Sequence, residues 1–135
     1  MSPCADARVI QRIYHARMSK SAPWRLQTAD GTVVAANIEV AGSVWSRFVG
    51  LMGRRALPEG HGLCVRPCSS IHMFFMRFPI DAVFVDGDGG IVRMYEPIRP
   101  WRVTRIVRHA KAVLELPAGT AQAHHLSVGD VISLV

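Results

Sequence analysis

Hydrophobic and polar positions alternate in short runs along most of this chain. From Trp24 the run WRLQT leads into Ala29-Asp30-Gly31-Thr32 and then into TVVAANIEVA. An Asp-Gly pair between two such runs predicts a hairpin-type turn. The period then changes. In SVWSRFVGLMG, residues Val44, Phe48, Leu51 and Met52 share one face at helical spacing. Ser43 suits the N-cap and Gly53 the position after the last turn, with Arg54 and Arg55 near the negative end of the helix dipole. Residues 54–62, which contain Pro58, Gly60 and Gly62, predict a loop.

Residues 63–67 and 71–85 read as strands. The second would carry His72, Phe74, Met76, Phe78, Ile80, Ala82 and Phe84 on one face. Asp86-Gly87-Asp88-Gly89-Gly90 predicts a turn, from which IVRMYEPI returns until Pro97 and Pro100 break it. WRVTRIVRH sets Trp101, Val103, Arg105 and Val107 against Arg102, Thr104, Ile106 and Arg108, the alternation of a surface strand. AVLELP is a further strand, TAQAHHL a short helical turn and VISLV a closing strand. The predicted fold is mainly β, a compact β-barrel or sandwich of short, mostly antiparallel strands with one or two short helices, one of them plugging an end. A βα rhythm and a glycine-rich phosphate loop are both missing.

With 135 residues, half of them hydrophobic, the chain is large enough for one domain with a core of its own. The expected division is a flexible basic tail over 1–22 and a single domain over 23–135. No apolar run approaches the length of a membrane span, and the N-terminal stretch has no continuous apolar segment of the secretory kind. Cys4, Cys64 and Cys68 make no paired framework, so free thiols in a cytoplasmic monomer are expected. The net charge of +6 rests on arginine, since Lys20 and Lys111 are the only lysines. Polyanions are attracted in a general way by such a chain.

The chemistry-bearing residues concentrate in CVRPCSSIHMFFM, where Cys64, Cys68, His72 and Met76 recur every four residues. On a helix this would be a ligand stripe, but Pro67 and the run of Ile and Phe favour extended chain. Residues four apart on a strand are separated by about 13 Å. Ligating atoms on one zinc ion lie only about 4 Å from each other. The interval alone therefore indicates no metal, and no cofactor is indicated either. Asp81, in FPIDAVF, is a carboxylate among apolar neighbours and must be partnered if buried, with Arg47 the expected partner.

Taken in order, WSRFVGLMGRRALP, GLCVRPCSSIHMFFMRFPIDAVFVDGDGGIV, RPW, VLELPAG and VGDVI resemble the DUF192 family of small bacterial and archaeal domains, over roughly Ala36 to Val135. Phe75, Met76, Pro79 and Asp81 match that family's central motif, whereas Arg77-Phe78 stands where relatives often carry Lys-Asn. Gly50, Leu51 and Met52 match a second motif. The resemblance implies a compact, mostly β fold with a small helix and no established activity.

Three functional readings follow. One is a binding module for a small ligand or a protein, with a pocket near Trp45, Met52, Cys68, His72, Met76 and Asp81. Another is a nucleic-acid binder using Arg93, Arg99, Arg102, Arg105, Arg108 and Lys111 beside Tyr95 and Trp101. The third is a hydrolase-type enzyme with Cys68 as nucleophile, His72 as base and Asp81 orienting it.

Overall fold

A computed structural model of the chain describes residues 23–42 and 55–135. The expected basic tail and the expected helix at 43–53, with Trp45, Arg47 and Met52, lie outside the described residues. Seven strands form one mixed sheet: β1 (Trp24–Thr28), β2 (Val33–Ala41), β3 (His61–Val65), β4 (Ile80–Val85), β5 (Ile91–Ile98), β6 (Ala112–Pro117) and β7 (Ile132–Leu134). Their order across the sheet is β5-β4-β6-β3-β2-β1-β7. Among the described strands only β2 and β3 run parallel, in register from Asn37 opposite His61 to Ala41 opposite Val65. A four-residue helix, α1 (Thr120–Ala123), precedes β7. The expected mainly β architecture is therefore what the chain adopts, as a sheet curled into a half-barrel.

Turn chemistry explains the strand ends. Asp30 accepts hydrogen bonds from the Thr28 hydroxyl and the Thr32 N–H, which hold its carboxyl down at about 2. Asp86 Oδ1 accepts from the N–H groups of Asp88 at 2.8 Å and Gly90 at 2.9 Å, closing the β4–β5 hairpin. That hairpin also joins the two edges of the sheet. Gly90 bridges Val131, Ile91 N–H donates to Asp130 O and Ile132 N–H to Gly89 O. Gly89 has φ +83, and a side chain there would run into the Ile132 carbonyl, so the junction requires glycine.

The curled sheet separates two cores. Inside lie Leu26, Ile38, Cys64, Val83, Leu114, Leu116 and Leu134. Outside, against β3, β4 and β6, lie Val65, Met73, Met76, Ile80, Phe84 and Val113. These three central strands are apolar on both faces, which explains why IDAVFV and AVLELP read as nearly continuous hydrophobic runs. Gly62 allows this double packing, since a Cβ there would sit 2.7 Å from Ile38 Cδ1 and 2.8 Å from Leu116 Cδ2.

Two expected strands are absent. Residues 71–79 form no strand beyond an isolated bridge between His72 and Val103, and 101–109 likewise. The two segments cross as an irregular ribbon over the outer core. Thr104 N–H donates to Ile71 O, Met73 N–H to Arg102 O, Trp101 N–H to Met73 O and Val107 N–H to Ser69 O. Positive φ at Phe75 (65°) and Trp101 (68°) breaks the pleat. Strict alternation fails in consequence: Phe74 and Phe75 are both exposed, as are Arg105 and Ile106, while Met73, Met76, Thr104 and Val107 are buried. A period-two pattern needs a continuous ladder behind it, and the ribbon has a ladder only at separate points.

Candidate functional site

The residues singled out from the sequence fall into two layers. Asp81 faces the barrel interior, because Ile80, Ala82 and Phe84 face outward. It is fully buried. Its Oδ2 accepts hydrogen bonds from the N–H groups of Gly119 at 3.1 Å and Ala121 at 2.9 Å. This carboxylate thus ties the start of α1 across the end of the barrel where β4 begins and β6 ends. A carboxylate satisfies amides at a helix start well, both by charge-assisted bonding and by the local dipole. The expected partner, Arg47, lies outside the described residues; the donors seen here are backbone N–H groups at the start of α1.

Cys68, His72 and Met76 belong to the outer layer. Cys68 packs against the outer core and its thiol donates to Ser70 O at 3.1 Å. His72 is half buried, its ring 4.9 Å from that of Phe74. Met76 is a buried core residue. Asp81 lies on the opposite face of the sheet from the layer holding Cys68 and His72. Among the described residues, no three His, Cys, Asp or Glu side chains converge as metal ligands. Cys64 is enclosed inside the barrel, and burial pushes its thiol up to about 12 against the opposing pull of Arg66.

The outer surface of the ribbon is unlike the rest of the molecule. Phe74, Phe75 and Trp101 are 39%, 59% and 59% exposed. Their rings form one cluster, with centroids 6.1 Å apart for Phe74–Trp101 and 5.0 Å for Phe75–Trp101. Val103 and Ile106, on the same segment as Trp101, are exposed as well. Single exposed apolar residues are ordinary, but a contiguous group marks an interaction surface. Arg77, Arg99, Arg102, Arg105 and Arg108 are all exposed around it. A groove lined by Tyr95, Pro97, Arg99, Arg102 and Val103 runs beside this cluster. Across its wall, the Arg93 guanidinium lies 5.0 Å from the centre of the Tyr95 ring.

Charge is segregated in the same place. Residues 61–80 and 97–114, which contain the ribbon, hold seven of the sixteen Lys and Arg residues, five of them the exposed arginines just named, and none of the ten Asp and Glu. The remainder of the chain carries nine basic against ten acidic side chains, so its charge is nearly balanced. The sequence reading located the arginines between 93 and 111 but placed the two phenylalanines in a strand. It also passed over Glu115, fully buried in β6, and the largely buried Arg66. Their signal was available: a Glu between leucines in AVLELP and an Arg directly after the apolar run GLCV.

Comparison with known proteins agrees with this fold. A UPF0127 protein of Pyrococcus furiosus is 31% identical over 110 residues, covering 78% of this chain and 92% of that protein. One from Pyrococcus abyssi is 32% identical over 104 residues, covering 73% and 86%. A crystal structure from Sinorhizobium meliloti, of a protein described provisionally as a transcription regulator, matches with a TM-score of 0.68 and 27% identity over 86% of this chain and 98% of that one. A Novosphingobium aromaticivorans protein of unknown function shares the fold at a TM-score of 0.69 and 23% identity, over 82% and 83%. The family model DUF192, described as "Uncharacterized ACR", matches residues 25–134, and with the archaeal relatives this establishes that the chain belongs to the DUF192 family.

Proposed function

We propose that the chain is a binding module that takes single-stranded nucleic acid on the outer face of its ribbon. One observation carries this reading: exposed, clustered aromatic rings stand within the segments that hold the basic residues and no acidic ones. Exposed rings offer stacking to unpaired bases, and surrounding arginines take the phosphates, bidentately where geometry allows. A duplex hides the faces of its bases, so the aromatic cluster favours single strands. The provisional description of the Sinorhizobium meliloti protein as a transcription regulator is in keeping with a nucleic-acid partner. A binding role through the HMFFMRFPID segment is retained in this reading, with Phe74 and Phe75 as its contact residues and His72 beside them.

Fluorescence anisotropy of a labelled oligothymidylate and a labelled oligouridylate tests it. Affinity is expected to fall steeply with salt, with a log–log slope of about −3 if four or five phosphates are neutralised. Trp101→Ala should weaken binding by about tenfold, the loss of one stacked base, while shifting stability by less than about 0.5 kcal/mol. No binding at low salt, or binding indifferent to both salt and Trp101, would overturn the proposal. An acidic peptide that binds where the oligonucleotides do not would make this face a protein interface instead.

A further inference from the structure

Between β5 and the ribbon the chain makes a tight turn, Arg99-Pro100-Trp101-Arg102, with Pro100 and Trp101 at its tip. The ends of a β-turn stand within about 7 Å of each other, so its two arginines rise from neighbouring backbone. Both are exposed, and both line the groove beside the aromatic cluster, together with Tyr95, Pro97, Ile98 and Val103. We infer that this turn is a clamp for a phosphate monoester, seating the phosphorylated end of a single strand in the groove while the terminal base stacks on Trp101. The inference rests on the single-strand reading of the ribbon and adds to it a fixed starting point.

Charge selects the monoester. An internal phosphodiester carries one negative charge, whereas a terminal monoester carries about −1.5 to −2 near pH 7. Two guanidiniums held side by side repel each other until an anion stands between them, and a dianion satisfies both. Among the described residues, no carboxylate pairs with Arg99 or Arg102. Glu96 is the acidic residue nearest to them in sequence, and it does not line the groove. Arg93 adds a third cation beside it, 5.0 Å from the centre of the Tyr95 ring. Guanidinium also grips phosphate oxygens in pairs, which a single lysine cannot do.

Backbone geometry supports the stacking half. Trp101 has φ +68, a conformation that favours glycine and is an outlier for a bulky side chain. Its N–H donates to Met73 O at 2.8 Å, so the ribbon holds the residue there in spite of the strain. Outliers of this kind concentrate at binding sites, where the surrounding structure over-determines them. The consequence is a ring, 59% exposed, at the tip of the turn, with the two arginines at its base. A terminal nucleotide has the same layout, an apolar base at one end and a charge at the other. The groove has a volume of about 380 Å³. That lies within the roughly 300–1,000 Å³ of small-molecule sites and leaves room for a phosphate with its sugar.

The test uses the full chain and oligothymidylates labelled in mid-strand, carrying a 5′-phosphate, a 3′-phosphate or hydroxyls at both ends. In fluorescence anisotropy, one phosphorylated end is expected to bind at least about tenfold more tightly than the hydroxyl-ended strand. Arg99→Gln and Arg102→Gln should each remove that preference, whereas Arg105→Gln should weaken all three strands alike and preserve it. Thymidine monophosphate should compete at least about tenfold better than thymidine or inorganic phosphate. Equal affinity for phosphorylated and hydroxyl-ended strands would overturn the clamp and leave strand binding by the ribbon standing. A preference that survives both turn substitutions would place the phosphate elsewhere and overturn the assignment. Competition by inorganic phosphate as strong as by the nucleotide would overturn it too, as a site for the free ion alone. Binding of the mononucleotide, lost in Arg99→Gln, without binding of any oligothymidylate would assign the clamp to free nucleotides and overturn the strand reading. No binding of either would overturn both.

Discussion

The barrel interior and the outer ribbon are built from equally apolar sequence and reach opposite ends. Inside, Leu26, Ile38, Val83, Leu116 and Ile132 are all buried. In the ribbon, Phe75, Trp101, Val103 and Ile106 remain in solvent although a core lies directly beneath them. The interior is held by continuous ladders and the ribbon by a few backbone bonds and one threonine. A protein that needed only to fold would have no use for the exposed set. The contrast assigns stability to the barrel, and it is the ribbon's exposed set that the proposed binding role would use.

The strongest way to break this division is a core truncation. Leu116→Ala removes a fully buried side chain from the barrel interior. It should cost about 3–5 kcal/mol in denaturant unfolding. Oligonucleotide affinity of the molecules still folded should be unchanged. A large loss of affinity without loss of stability would reverse the assignment.

Next in size is the buried carboxylate at the α1 end. Asp81→Ala leaves the Gly119 and Ala121 N–H groups without their acceptor and should cost about 2–3 kcal/mol. Asp81→Asn keeps an acceptor oxygen and should cost about half as much. If Asp81→Ala instead left stability intact while abolishing an activity, the residue would be functional, not architectural.

Thr104 sharpens the comparison because it belongs to the ribbon yet is buried. Its hydroxyl accepts the Ile71 N–H at 3.0 Å. Thr104→Val should cost about 1–2 kcal/mol. Unlike Leu116→Ala, it should also weaken oligonucleotide binding at temperatures well below unfolding, because it loosens the platform under Trp101. Amide exchange at Ile71 gives an independent reading of that loosening.

The effect that is smallest at neutral pH appears only in alkali. Burial raises the Cys64 thiol from 9.0 to about 12 in the folded chain. The folded state then keeps a proton that the unfolded state releases. Stability from this source is intact below pH 9 and declines as pH rises from 9 towards 12, by at most about 1.4 kcal/mol per unit. Cys64→Ala should flatten that slope, and native Cys64 should resist alkylation at pH 8 until the chain unfolds.

How much of this was legible in the sequence follows the same boundary. β1, β2, β6, β7 and the two Asp-Gly turns were readable because ladder, pleat and turn residue agree with one another. Asp81 was recognisable as a buried carboxylate in need of a partner, but not its donors, since Gly119 and Ala121 lie about forty residues on and donate through backbone. The ribbon misled for a physical reason. FFM and WRVTRIVRH carry β-branched and aromatic residues in extended order, yet positive φ at Phe75 and Trp101 is decided by tertiary pairing. The hollow at the mouth of the barrel, lined by Leu26, Leu114 and Leu134, had no local signal at all, being assembled from the ends of five separate elements.

Closure of the sheet at Gly89 and Ile132 also sets an order in time. β7 pairs with β1 over more than a hundred residues of sequence and bonds the β4–β5 hairpin over about forty. Contacts of such separation form late, because the loop-closure entropy must be met before they stabilise anything. On the ribosome, β1 to β6 can assemble while the barrel is still an open trough with an unpaired edge along β1. The hollow walled by Ile132 and Leu134 comes into being only with the arrival of β7, so the last strand to pair is also the one that completes the interior wall.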